Sequence, residues 1–534
     1  MVANSTNVCS KRQERLVRFL GSPSSYAHRP QEVRSVQRHS SWVFIASPFV
    51  FKVKKPVNLG FLDFSTLEKR HHFCRRELEL NRRLCPEVYL AVMPIYECDA
   101  GFSFDDEDGE IAEYSVKMRE LPHGRFLREL VAKGLAGETE INRVIACVQR
   151  FYESETPSPE IEQWGTAEKL KISTDENFAQ TEQFTGKTIS LLALETIRHF
   201  TNNFYAAKER LFRERIQQHR IRDCHGDLHL DHVHITPQAT TIFDCIEFND
   251  RLRFIDIVND LAFLAMDFDF EGKRELGNLL LQNAARAFRD AAMLRLANFY
   301  KCYRAFVRGK VESIQATSQE PAQSEEHVKR AARYFRLALQ YAISNSEPLL
   351  LVVMGRIGTG KTTVARQLAS EFNWPVFSSD QIRKTLSRVP LTVRTAPELR
   401  ARVYSEEMTK ETYQNLLKNG LAAVPSHGGV VLDATFSNRT YRDLLRDECA
   451  RVNVPFHVIE LDADYQEIAN RLRARNATAG EISDARLEDL TRLSAAYEPP
   501  SELAPNLITI STAGAMSDAV RAILLRLAEK QSAQ

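Results

Sequence analysis

Hydrophobic and polar positions follow two rhythms along this chain. Over residues 33–57 they alternate, with a break at Ser47-Pro48, and this period of two predicts adjacent antiparallel strands. In the run FVFKVKKP, Phe49, Phe51 and Val53 share one face, and Val50, Lys52 and Lys54 share the other. Ser65, with Glu68 three residues on, reads as a capping box that opens a helix to about residue 84. Strands follow over 89–96 and 113–121, on either side of an acidic turn at Asp108-Gly109. The pattern is a small antiparallel sheet with one helix, preceded by a short helical start over 12–20. The helical period then holds through 124–218 apart from a polar stretch at 157–165, and it returns over 255–267 and 294–307. Residues 312–326 are polar and unpatterned, reading as a linker or exposed loop before a helix over 327–343.

The rhythm changes after residue 347. The run LLLVVM over 349–354 is apolar without alternation, as in a strand buried on both faces of a parallel sheet. Further strands are expected near Val376, Val430, Phe456 and Leu507, with helical patterns between them. Such strand-helix alternation predicts an α/β domain with a parallel, doubly wound sheet. The expected division is a helical extension (1–32), an α+β module (33–310), a linker and helix (311–346) and an α/β domain (347–534).

Composition narrows the function classes. Lys plus Arg number 71 against 70 Asp plus Glu, so no global charge argues for nucleic acid or an anionic membrane surface, and the expected partner is a small molecule. The nine cysteines show no CxxC pairing and read as reduced thiols of a cytoplasmic protein. No apolar run reaches membrane-spanning length, and the first residues lack the apolar core of a secretory signal.

The apolar run at 349–354 leads into the most specific motif. Gly355, Gly360, Lys361 and Thr362 complete G-x-x-x-x-G-K-(S/T), with Gly358 as a third glycine, Thr363 as a further nucleotide-binding residue, and a helical pattern in Val364, Ala365, Leu368 and Ala369 directly after. Backbone N-H groups must point inward to wrap a polyphosphate, which glycines permit, and a helix N-terminus adds partial positive charge. Lys361 is placed to reach the β and γ phosphates and Thr362 to offer a hydroxyl to Mg2+. Asp433 ends the apolar strand Val430-Val431-Leu432, the position of a carboxylate that holds Mg2+. Ser379-Asp380 opens a helix with Arg383 one turn on. These two could accept a substrate proton and hold an anionic group, or they are an N-cap with a solvated arginine. Arg439 and Arg442 lie on a later helix, and Arg471, Arg473 and Arg475 crowd a helical end before NATAG, either as a lid over transferring phosphate or as a solvated basic face.

With these residues, the stretch 348–527 resembles the zeta-toxin and polynucleotide-kinase-like P-loop kinases, a group described as AAA-type ATP-binding domains. The resemblance implies ATP and Mg2+ as cofactors and transfer of the γ-phosphoryl to a hydroxyl of a small or nucleotide-like substrate.

A second informative stretch is DCHGDLHLDHVHI followed by TIFDCIEFND. On His225-Gly226-Asp227, Phe243-Asp244, Glu247, Asp256 and Asp260, residues 33–310 resemble the aminoglycoside phosphotransferase family, the small-molecule branch of the bilobal protein-kinase-like fold. That resemblance implies Asp227 as catalytic base, Asp244 as metal ligand, and Lys52 with Glu77 as the ATP-positioning pair. Read alone, Glu77 is a surface charge, and Lys52 is as readily a solvated edge-strand lysine as a phosphate-pairing one. The chain departs from the family at His232, which occupies the metal-binding asparagine position five residues after the base, and it has no glycine-rich loop between 33 and 49. A different reading of the same stretch takes Asp227, His229, Asp231 and His232, flanked by His225 and His234, as the ligand set of a metal-dependent hydrolase. The order of the two halves resembles fused bacterial proteins. It implies either two phosphotransferase modules or a P-loop kinase regulated by an N-terminal ligand sensor.

Overall fold

The computed structural model describes residues 2–38, 40–58, 60, 62–99, 101–106, 108–317, 321–476, 484 and 486–534; the side chains of 2–10, 322, 475 and 476 lie outside this description. The chain forms two compact units, one of residues 1–172 with 209–301, the other of residues 173–208 with 302–534.

The first unit carries β1 (Arg34–Gln37), β2 (Ser41–Ala46), β3 (Phe49–Lys54), β4 (Tyr89–Cys98), β5 (Gly101–Ser103) and β6 (Glu110–Arg119) in the antiparallel order β1-β2-β3-β6-β4-β5. The alternation in β3 sorts its residues as expected. Phe51 and Val53 pack with Phe44, Ala46, Ile95 and the N-terminal helix residues Leu16 and Leu20. Lys52 and Lys54 face Glu77 on the helix Leu67–Arg82. That helix starts one residue later than a Ser65 cap would give. Thr66 caps it by accepting from the Lys69 backbone N-H at 3.3 Å, because the Ser65 hydroxyl donates instead to Asp63 at 2.6 Å. Further on, β7 (Ile221–Asp223) pairs with β10 (Phe254–Asp256), and β8 (Val233–Ile235) with β9 (Thr240–Ile242), both antiparallel. These short ribbons bracket the segments 224–232 and 243–247. The nearly all-buried helix Ile257–Phe270 follows β10.

The second unit is built on β11 (Leu349–Gly355), β12 (Val376–Ser378), β13 (Gly429–Asp433), β14 (Phe456–Asp462) and β15 (Leu507–Ser511), all parallel in the order β12-β13-β11-β14-β15. The strands fall where unbroken apolar runs placed them, and every residue of the central β11 is buried. Leu350, Val352, Met354, Val430, Leu432 and Val458 form one core with Leu416, Leu417 and Val424 of the helix Glu406–His427. The polar stretch 312–326 is not an extended linker. It belongs largely to the helices Leu294–Ala316 and Pro321–Ile343, and buried Glu312 on the first pairs with His327 at 2.6 Å and Arg330 at 3.1 Å on the second. Residues 173–208 join the same unit, with Glu195 paired to Arg521 at 2.7 Å. No helix among the described residues is long and apolar enough to cross a membrane.

Candidate functional site

Strand β11 ends at Gly355, whose φ of 134° only glycine adopts readily; a Cβ there would stand 2.3 Å from the Leu461 carbonyl oxygen. The loop returns at Gly360 (φ 92°), where a Cβ would meet Met516 Cε at 2.6 Å, and the helix Lys361–Phe372 begins at once. A glycine loop thus feeds a helix N-terminus, the arrangement that gathers N-H groups around an anion. The Lys361 ammonium donates to the Arg356 carbonyl at 2.7 Å, which keeps it over the loop. Thr362 donates its hydroxyl to Asp433 Oδ2 at 2.7 Å, so strand β13 brings its terminal carboxylate to the residue after the P-loop lysine. Burial raises the Asp433 carboxyl above the usual range, with Lys361 and the Thr362 hydroxyl opposing. A hydroxyl and a carboxylate this close are suitable hard oxygen ligands for Mg2+.

A cavity of about 1050 Å3 opens over the loop, lined by Lys361, Thr362, Thr363, Asp433, Asp380, Arg383 and Arg471 among others. Asp380 and Arg383 both reach it from the helix Ser379–Leu386. The Arg383 guanidinium is not a solvated partner of the acid. It is buried, donates at 3.0 Å to the Val403 carbonyl and to Thr409 Oγ1, and lies 4.8 Å from the Tyr404 ring centre. Arg471 is anchored beside the loop by Thr512, whose hydroxyl accepts at 3.1 Å and itself donates to the Thr359 carbonyl at 3.0 Å. Arg442 instead is structural: it is 1 % exposed, donates to the Phe436 carbonyl at 2.9 Å and pairs with Glu502. The Arg475 side chain and residues 477–480 lie outside the described residues. Sequence reasoning did not single out Tyr404, Arg400 or Asp484, which also line the cavity. Tyr404 donates to Asp484 at 3.1 Å, and Arg400 pairs with Asp489 at 2.6 Å.

A second cluster lies in the first unit. Lys52 Nζ stands 2.8 Å from Glu77 Oε1 and 2.6 Å from Asp244 Oδ1. Lys54, absent from the sequence-based site, holds Glu77 Oε2 at 2.7 Å and also bonds Glu247. Glu77 is fully buried. Burial alone would raise its carboxyl, but the two lysines hold it below the ordinary value. Asp244 is likewise held low, against burial, chiefly by Lys52 and His232, and its φ of 65° turns it back toward β3. Asp260 accepts from the backbone N-H groups of His225 (2.8 Å) and Gly226 (3.0 Å), fixing the turn that presents Asp227. His232 Nδ1 donates to the Asp227 carbonyl at 2.9 Å, and its Nε2 lies 3.5 Å from Asp244 Oδ2. Burial, with His229 next, lowers the His232 imidazole to about 4. Asp227, His229 and His232 offer ligand atoms that all lie within 4.8 Å of one another. His225 and His234 are spent elsewhere. His225 bonds the Phe243 carbonyl through Nε2 and accepts the Asp227 N-H at Nδ1, while His234 bonds the Pro122 carbonyl. Of the hydrolase-type ligands read from the sequence, Asp231 lies outside this group and pairs with Arg128 at 2.6 Å.

Comparison with known proteins agrees with the geometry at the P-loop. Residues 350–500 match the model of a family described as "AAA domain". Over 136 residues the chain is 31% identical to the gluconokinase of Gluconobacter oxydans, covering 24% of this chain and 66% of the relative. A gluconokinase structure from Sinorhizobium meliloti aligns at 22% identity over 34% of this chain and 94% of its own, with a TM-score of 0.26. The longest of these matches is to "Uncharacterized protein Rv2004c" of Mycobacterium tuberculosis, 31% identical over 459 residues, or 86% of this chain and 89% of the relative. A glycine loop, a threonine and an aspartate joined over a central parallel sheet, and a match spanning both halves lead to one conclusion: the chain belongs to the family of the mycobacterial protein Rv2004c, with a P-loop kinase-like AAA domain as its C-terminal half.

Proposed function

We propose that the protein is an ATP-dependent phosphotransferase whose C-terminal P-loop domain moves the γ-phosphoryl of ATP to a hydroxyl of a small or nucleotide-like acceptor. The observation that carries this reading is the 2.7 Å contact between Thr362 and Asp433 in a cavity that Asp380 and Arg383 also line. Backbone groups of Gly355, Gly358 and Gly360 would cradle the phosphates, Lys361 and Arg471 would neutralise their charge, and Thr362 with Asp433 would hold Mg2+. Bound Mg2+ supplies charge neutralisation between the β and γ phosphates. Asp380 is the acid placed to take the acceptor's hydroxyl proton, and Arg383 fixes the wall against which the acceptor lies. The gluconokinase relative supports a polyol as one acceptor class to try first.

In this reading the first unit is a kinase-like module of the aminoglycoside phosphotransferase type. Lys52 and Glu77 would position the nucleotide, Asp227 would act as base and Asp244 would serve the cation side. The 2.8 Å Lys52–Glu77 pair supports it. A second reading, in which this module senses a ligand and regulates the P-loop domain, is favoured by His232 at the asparagine position. Incubating the purified full chain with γ-labelled ATP, Mg2+ and metabolite pools tests the main proposal. Label on an organic hydroxyl acceptor is expected; label released only as inorganic phosphate would overturn it.

A further inference from the structure

The parallel register of the second unit brings one residue from outside the motif against the P-loop. Gly355 at the end of β11 stands opposite Leu461 of β14, and Asp462 opposite Ser511 of β15. The first residue past β15, Thr512, therefore reaches the same edge of the sheet, where its N-H donates to the Asp462 carbonyl at 2.8 Å. Thr512 is 0 % exposed.

The polarity of its hydroxyl is set by its neighbours. Arg471 Nη1, which can only donate, lies 3.1 Å away, so the hydroxyl oxygen accepts there and its single proton goes elsewhere. The Thr359 carbonyl takes that proton at 3.0 Å; the Asp462 carbonyl, at 3.3 Å, already holds the Thr512 N-H. The Thr359 carbonyl is thus turned toward Thr512. In a trans peptide the C=O and the following N-H point in opposite directions, so the Gly360 N-H is turned away from Thr512. It has no hydrogen-bond acceptor among the described residues. Such an N-H is what a P-loop offers to phosphate oxygens.

Arg471 is set by the same residue. Its Nη2 donates to the Thr512 carbonyl and its Nε to Glu467 at 2.8 Å, which leaves one N-H on each terminal nitrogen. Nη1 lies 3.9 Å from where a Cβ on Gly360 would stand, and the side chain lines the cavity over the loop. Within the loop, the buried Thr359 hydroxyl donates at 2.9 Å to the Arg356 carbonyl, which also accepts from Lys361. One hydroxyl therefore joins the arginine to the backbone of the loop.

We propose that Thr512 is a positioning residue of the nucleotide site: its hydroxyl aims the Gly360 N-H at the phosphates and holds Arg471 beside them, without touching the nucleotide. The proposal rests on the reading of the P-loop as a nucleotide site. Donors aimed before the anion arrives need no reordering when it binds.

The test uses the full chain carrying Lys52→Met, so that the P-loop site alone is read, and measures ATP binding by calorimetry with inorganic tripolyphosphate as competitor. Thr512→Val keeps the side-chain shape and removes the hydroxyl. It should weaken ATP and tripolyphosphate alike by about tenfold, the effect of losing one hydrogen bond in a charged setting. Thr512→Ser should restore the native values. With Arg471→Met already present, Thr512→Val should weaken binding less than it does alone, which a residue serving only the fold would not do. Thr512→Ala provides the same comparison if the valine variant folds poorly. Unchanged affinity in a folded variant, a loss confined to ATP with tripolyphosphate unaffected, or additive effects with Arg471→Met would overturn the proposal. Absence of ATP binding by the parent protein would overturn the nucleotide reading itself, and this proposal with it.

Discussion

Replacing Lys54 by Met probes the charge cluster of the first unit most sharply. Lys54 has a side-chain exposure of 2 % and lies between Glu77 (2.7 Å) and Glu247. Methionine nearly preserves its volume, so the perturbation is electrostatic. Glu77 keeps Lys52 at 2.8 Å, but Glu247, 7 % exposed at its side chain, loses its hydrogen-bonded cation and retains Glu77 as a like-charged neighbour. Removing one partner of a buried ion pair costs about 3–5 kcal/mol. For a unit of this size that corresponds to a fall in Tm of roughly 6–20 °C. The loss is pH-dependent. Burial already raises the Glu247 carboxyl above its ordinary value, against the pull of Lys54, and without that lysine it rises further. The penalty belongs to the ionised form, so it is full at neutral pH and shrinks as pH falls and Glu247 takes up a proton. Denaturant unfolding of the full chain from pH 5 to 8, with Glu247→Gln and the double variant completing a cycle, measures this directly. The double variant should recover most of the loss. A deficit below about 1 kcal/mol that is the same at every pH, with additive single effects, would refute the buried-network account.

Three further outcomes follow from the same reasoning. Asp433→Asn should lower phosphotransfer by about 10²–10³-fold, and because burial raises the Asp433 carboxyl, the acid limb of the native kcat/KM profile should lie above the usual aspartate range near 3.9. An acid limb at or below that value in stopped-assay profiles would contradict the raised carboxyl. His457, lowered to about 4 mainly by burial, stays neutral when folded and protonates more readily unfolded. Stability of the second unit should therefore fall as pH drops from about 6.5 to 4, and calorimetry of His457→Gln should show a flatter decline. Lys52→Met should abolish nucleotide binding to the first unit while leaving binding at the P-loop intact, read by calorimetric stoichiometry; unchanged stoichiometry would remove Lys52 from that role.

What the sequence disclosed was mostly what local chemistry enforces. Gly355 and Gly360 are legible because their backbone angles and close neighbours admit nothing larger, and Asp433 because an apolar strand ends on it. The parallel sheet shows in runs of apolar residues buried on both faces. Period two correctly grouped Lys52 with Lys54, yet only tertiary packing shows that both converge on Glu77. Glu312 looked like linker, although it pairs with His327 and Arg330, because polarity marks a buried ion cluster and a solvated loop in the same way. Tyr404, Arg400 and Asp484 carry no motif; they meet through contacts spanning about eighty residues or more. Likewise nothing local tells that residues 173–208 fold with the second unit.

The central claim is that the P-loop transfers phosphate, and Lys361→Ala tests it most directly. With γ-labelled ATP and an acceptor found by the native chain, the account predicts at least about a hundredfold loss of label transfer with the fold intact by circular dichroism. Equal transfer by the native and Lys361→Ala proteins would contradict it.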